Sequence, residues 1–145
     1  MENYQITNHV TVEEYQNFRK EVKWKVFGDK QAKEGLVNST YVVCVRLDGK
    51  AVGMARFLWD RGYIAYIADV MVLPEFQGRG IGRMLLENIM SYIDENIPKD
   101  YDLFISLMAA KGKNTFYEKF GFITRPTEDF GPGMHLYRNG VSKDE

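Results

Sequence analysis

The chain has little that would tie it together covalently or by metal. Its 145 residues include one cysteine, Cys44, which excludes an intrachain disulfide. No Cys/His cluster has zinc-ligand spacing, so no metal is expected. No excess of basic charge is present either. Net charge is −1, which argues against nucleic-acid binding as the main task. No stretch approaches the roughly 18–20 apolar residues of a membrane span. The N-terminus lacks a basic segment followed by an apolar run, so no secretory leader is expected and the expected compartment is the cytoplasm. Repeats, low-complexity tracts and linkers are absent too. What is present is 45% hydrophobic residues, enough for one core and one domain over 1–145.

The most informative stretch runs from Asp69 to Arg83 and reads strand, turn, helix. Tyr63 to Leu73 is rich in β-branched and aromatic residues, as in a buried strand. Pro74 ends it, because proline cannot donate to a sheet ladder. After Ile81, apolar residues recur at Leu85, Ile89, Ile93 and Ile97, and Pro98 closes the helix. Gly78, Gly80 and Gly82 lie between. They let the backbone turn sharply and let a ligand approach bare N–H groups. The first N–H groups of a helix lack internal partners, and its dipole favours negative charge there. Arg79 and Arg83 add positive charge. A phosphate-bearing ligand fits this end.

Two common glycine loops fail. A dinucleotide fingerprint needs G-x-G-x-x-G, but the third position falls on Arg83 or Leu85. A nucleotide-triphosphate loop needs Gly-Lys-Ser/Thr, which does not occur. What remains, Gln77-x-x-Gly80-x-Gly82 after Val72-Leu73-Pro74, resembles the pyrophosphate loop of the GNAT superfamily of acyl-CoA-dependent N-acetyltransferases. Phe116-Tyr117-Glu118-Lys119-Phe120-Gly121-Phe122 resembles that family's second motif, in the family's order and at about its spacing.

The rest of the chain is compatible. Tyr4–Thr7 suits a short strand. Thr11 and Glu14 fit a capping box, with Val10 and Tyr15 placed as its hydrophobic staple. Val12, Tyr15, Phe18 and Val22 form the apolar face of that helix. A second, weaker helix spans about Lys30 to Leu36. Thr40–Leu47 and Ala51–Trp59 form a hairpin around Asp48-Gly49, and Tyr63–Leu73 continues the meander. Asp102–Leu107 follows a helix and should run parallel to Tyr63–Leu73. Asn114–Phe120 is a short helix closed by Gly121. Phe122–Arg125 and Met134–Tyr137 are the last two expected strands. The resemblance implies an α/β fold: a mixed, mostly antiparallel sheet of six or seven strands, flanked by about four helices and splayed near the end of Tyr63–Leu73.

The resemblance also implies acetyl-CoA as co-substrate and a small-molecule or peptide amine as acceptor. Acetyl transfer needs a neutral amine, donors for a developing oxyanion, and a proton or hydrogen bond for the thiolate. A lysine-like amine of pKa near 10.4 is neutral in about one molecule in two thousand at pH 7. By resemblance Tyr117 faces the CoA sulfur. Gln77, Gly78, Arg79, Gly80, Ile81, Gly82 and Arg83 hold the pyrophosphate, and the backbones of Val70, Met71 and Val72 meet pantetheine, Val72 N–H being the oxyanion donor. Full proton transfer from a phenol of pKa about 10 to a thiolate of pKa about 8.5 is uphill by ~2 kcal/mol, so hydrogen bonding is the larger part of the Tyr117 role.

Asp69 is the one carboxylate on the central strand, and reads either as a base acting through water or as a structural hydrogen-bonding group. Where the family often has a CoA-contacting Asn seven residues before its motif Tyr, this chain has Ala110. Asn114 reads as its substitute or as a helix N-cap. A glutamate that some protein-N-terminus acetyltransferases carry near Ser106 is also absent. Trp24, Phe27, Trp59 and Tyr66 read either as core or as walls of an acceptor pocket. Many relatives dimerise, so a homodimer is an open expectation. A non-catalytic CoA-binding sensor on the same fold is the alternative, since fold does not fix function.

Overall fold

A computed structural model describes residues 2–141. They form two compact units, one running up to Met108 and the other beginning at Ala109.

The first unit is built on a five-stranded sheet of order β1-β2-β3-β4-β5: β1 Tyr4–Thr7, β2 Tyr41–Leu47, β3 Lys50–Trp59, β4 Ile64–Val72 and β5 Phe104–Leu107. The first four strands are antiparallel neighbours and β5 pairs parallel with β4, which the crossover through a helix allows. The β2–β3 hairpin turns at Asp48 and Gly49, with φ of +51° and +83°. Two positive φ values match the right-handed twist of the strands they join.

Helix α1, Val12–Glu21, starts at a complete capping box: Glu14 N–H donates to Thr11 Oγ1 and Thr11 N–H to Glu14 Oε1, each at 3.0 Å. Val10 is partly buried against the cluster that holds Tyr15, as the staple requires. Helix α2 spans Asp29–Val37. These two helices supply Tyr15, Phe18 and Ala32 to a core with Cys44, Met54 and Met71. Helix α3, Ile81–Asn96, buries Ile81, Leu85, Leu86, Ile89 and Ile93. Gly53 lets α3 come close, since a Cβ there would lie 2.6 Å from Ile81 Cγ2. No described helix is long and apolar enough to cross a membrane.

In the second unit α4 spans Asn114–Glu118. Its N-cap is Lys113, without a side-chain cap bond, so Asn114 is not the cap its position suggested. The strand count also needs correction, from six or seven to five among the described residues. Phe122–Arg125 and Met134–Tyr137 form no ladder among the described residues. Their surroundings make turn bonds instead, Thr127 N–H to Phe130 O at 2.8 Å and Arg125 Nε to Gly131 O at 2.6 Å. Ile123, Met134 and Leu136 are exposed. Strand preference reflects fit to a half-buried pleated surface, and it makes no strand where no neighbour is paired.

Candidate active site

The candidate site in the first unit starts with β4, which carries a bulge. Between the rungs Met54↔Met71 and Arg56↔Ala68, β3 advances by Ala55 alone while β4 advances by Asp69 and Val70. Asp69 adopts φ +54°, the left-handed conformation that the first residue of a G1-type bulge takes and that is uncommon outside glycine. Pairing with β5 ends just before this point, at Ile67↔Leu107. From Ala68 to Val72, β4 pairs with β3 on one side and, among the described residues, with no strand on the other. This is the splay, and it falls at Val70, Met71 and Val72. Met71 is buried, and Val70 and Val72 on either side of it are half-buried.

After β4 the chain makes one short 3-10 turn, Pro74–Phe76, and enters the glycine loop. Gln77 Nε2 donates to Val72 O at 3.1 Å and ties the loop to the strand end. Gly78 and Gly80 have φ of +80° and +85°, and nothing lies within 4 Å of where a Cβ would stand. Gly80 is the N-cap of α3. It offers no side-chain cap, and no acid lies in the first turn. The amides at the start of a 16-residue helix, those of Ile81, Gly82 and Arg83, are thus left to an outside acceptor. The arginines are less free than their charge suggested. Arg79 donates to Glu2 at 2.7 Å and Arg83 to Glu87 at 2.5 Å, both on the surface. Glu75 is exposed and pairs with Lys50 at 3.3 Å.

Asp69 is enclosed by donors. Arg19 Nη1 donates to Oδ1 at 2.9 Å, and Arg56 Nε and Tyr15 Oη donate to Oδ2 at 2.8 and 2.5 Å. Arg56 Nη1 also reaches Gly35 O at 2.9 Å and Ser39 Oγ at 3.1 Å. Burial, then the bond to Asp69, pushes the Tyr15 phenol up to about 12, so it stays a donor. With both oxygens engaged, the geometry favours the structural reading of Asp69. Sequence reasoning missed Tyr15, Arg19 and Arg56 as its partners. One signal was present: Arg19 follows Phe18 and lies one turn after Tyr15, on the buried side of α1. A cation there needs a buried counter-charge.

The four aromatics take two places. Trp24 and Phe27 stand against the Arg19 guanidinium, at 5.7 and 4.2 Å from their ring centroids. Trp59 and Tyr66 line a cavity of about 310 Å³ with Asn38, Thr40 and Asp60. A second cavity of about 480 Å³ lies among Asn17, Glu21, Lys50 and Glu75. Cys44 is fully buried, which pushes its thiol up to about 11 and makes it inert. Among the described residues no group of His, Cys, Asp and Glu could hold a metal.

In the second unit, the spacing Tyr117-x-x-x-Gly121-Phe122 is a helix stop. Gly121 takes φ +94°. Its N–H bonds Glu118 O at 3.0 Å, and Phe122 N–H reaches back to Tyr117 O at 3.4 Å. This is the Schellman arrangement, completed by the edge-on contact of the Tyr117 and Phe122 rings at 6.2 Å. Phe116 also packs edge-on against Tyr117, at 5.0 Å. Burial pushes the Tyr117 phenol up to about 12. Asn114 Nδ2 meets Thr124 Oγ1 at 3.4 Å.

Residues 38–124 match the family model for the acetyltransferase (GNAT) domain. The "uncharacterized N-acetyltransferase ycf52" of Pyropia yezoensis is 32% identical over 112 residues, covering 74% of this chain and 61% of that protein. Its namesake in Porphyra purpurea is 29% identical, covering 90% of this chain and 74% of that protein. The chain thus spans under two thirds of the first relative. A "probable acetyltransferase" of Staphylococcus aureus, solved by crystallography, is 30% identical with a TM-score of 0.82, covering 94% of this chain and all of that one.

Proposed function

From the premise that this chain belongs to the GNAT acetyltransferase family, we propose that it moves an acetyl group from acetyl-CoA to a primary amine. The observation that carries this reading is the uncapped start of α3, where two left-handed glycines, no acid and open amides form a seat for a diphosphate. The donor supplies a thioester, an acyl group already activated toward amines. Gln77–Arg83 would hold its phosphates mainly through backbone N–H groups. The open edge of β4 at Val70–Val72 would bind pantetheine amides, with the Val72 N–H as oxyanion donor. The amine nitrogen forms a bond to the acetyl carbon, the carbon–sulfur bond breaks, the amine proton leaves to solvent, and the thiolate accepts a hydrogen bond from Tyr117.

With its phenol near 12 against about 8.5 for a thiol, complete transfer from Tyr117 would be uphill by about 3.5 units, or ~5 kcal/mol. Its role is therefore donation of a hydrogen bond. The cytoplasm is the proposed compartment, and the acceptor class is a small-molecule or peptide amine. The test is calorimetry with CoA, followed by thiol release from acetyl-CoA across amines, polyamines, amino acids and peptides. Micromolar uptake with amine-dependent thiol release is expected. Uptake without release across the panel would point to a CoA-binding sensor, and no uptake by folded protein would end the proposal.

A further inference from the structure

The Asp69 knot lies at the one place where β4 leaves its regular course. A non-glycine residue in the left-handed region is strained and persists only when its surroundings over-determine it. Here they do, from three elements at once. Tyr15 and Arg19 reach Asp69 from adjacent turns of α1, and Arg56 reaches it from β3, next to the bulge. Arg56 continues to Gly35 O and Ser39 Oγ at the end of α2. Arg19 continues to Lys25 O at 2.5 Å, and Phe27 covers its guanidinium, so the loop between α1 and α2 is fastened to the same point. The ion pairs are nearly dry: the side chains of Arg19, Asp69 and Arg56 are 9%, 10% and 14% exposed. Such pairs contribute little net stability compared with an apolar replacement, and the best-attested use of one is to fix a single register among alternatives.

The alternative here is specific. Without the extra residue, β4 would keep its regular register past Ile67, where its pairing with β5 now ends, and the Ala68–Val72 edge would stay in line for further pairing. We propose that Arg19 and Asp69 are positioning residues, pinning the β4 bulge so that the Val70–Val72 edge stays free of β5 and open to the amides of the acyl donor. This rests on the reading that the donor is a CoA thioester.

The test compares two probes by calorimetry: CoA, and its nucleotide half, 3′-phospho-ADP, which lacks pantetheine. The nucleotide half reports the glycine loop alone, and CoA reports the loop and the β4 edge together. Asp69→Asn should weaken CoA binding about tenfold, and Arg19→Lys and Tyr15→Phe about threefold each, while the nucleotide half stays within about twofold of wild type. A purely structural role would lower the melting temperature without separating the two probes. The proposal is overturned if both affinities change together, or if CoA affinity is unmoved while the melting temperature falls. Should Asp69→Asn not fold, Tyr15→Phe, which removes one hydroxyl, and Arg19→Lys, which keeps the charge, decide the matter. Wild-type protein that binds neither probe would sink the CoA reading itself, whereas wild type that binds both with no separation in the variants would sink only the positioning role.

Discussion

Tyr117 has one job in the fold and a second proposed for it in the chemistry. Its ring is the anchor of a helix stop, in edge-on contact with Phe116 and with Phe122. Its hydroxyl is a phenol that burial keeps protonated far above neutral pH. The two jobs can be separated by one atom. Tyr117→Phe keeps the ring and hence the α4 cap, so the melting temperature should stay near wild type. If the hydroxyl stabilises the departing thiolate, turnover should fall by about 10²-fold, the scale of a positioned proton or hydrogen-bond donor. CoA affinity should change by less than about twofold, because the ground-state thioester sulfur is a weak acceptor. Steady-state kinetics with calorimetry decides it. Unchanged turnover in the variant removes Tyr117 from the chemistry and leaves it as a cap. The pH–rate profile should show no Tyr117 ionisation below about pH 11.

At the level of elements, α3 is held at its first turn by a fit rather than by a cap. Ile81 sits against Gly53 on β3, where a methyl group would meet Ile81 Cγ2 at 2.6 Å. Gly53→Ala must push the start of α3 off the sheet, and should cost about 1–3 kcal/mol by overpacking. The shift falls on the turn whose amides are proposed to hold the diphosphate, so CoA affinity should drop along with the melting temperature. Gly80→Ala should act differently. Open space surrounds that position, so nothing clashes, but alanine at φ +85° costs about 1–2 kcal/mol. Chemical denaturation and CoA calorimetry on both variants separate steric from backbone effects. A Gly53→Ala protein with wild-type stability and affinity would show that this packing does not set the position of α3. Of the two, the sequence singles out only Gly80, as part of a turn before a helix. Gly53 looks like a weak point in a strand, because its reason lies on another element.

Across the whole molecule, what was legible follows from how far each interaction reaches along the chain. Helices and strands up to β5 could be placed within a residue or two, because capping pairs, turn residues and apolar periods are local. The bulge at Asp69 was not legible, since it depends on positions 15, 19 and 56, which only the fold brings together. The last two expected strands failed for the same reason, because pairing partners cannot be read from a segment's own residues. Ionisation reaches across the chain too, and sets the expected stability curve. The Arg46 guanidinium, and next among the favourable contacts the Thr11 amide, hold the Glu14 carboxyl down to about 2 from 4.5. A lowered folded pKa means the unfolded chain binds the proton more tightly, so this contribution is complete above about pH 4.5 and is lost as pH falls through about 2. On the alkaline side, burial raises Cys44 to about 11 from 9.0, and Tyr15 and Tyr117 to about 12 from 10.0. Raised pKa values have the opposite sign: stability is full below about pH 9 and is lost as pH climbs through 11 to 12. Thermal melts from pH 2 to 12 should therefore show a plateau between about 4.5 and 9 with a fall on each side. Glu14→Gln should flatten the acid arm and leave the alkaline arm alone, while Cys44→Ala should delay the start of the alkaline fall. An acid arm of unchanged slope in Glu14→Gln would show that the Arg46 pair, for all its short geometry, is too solvated to couple to folding.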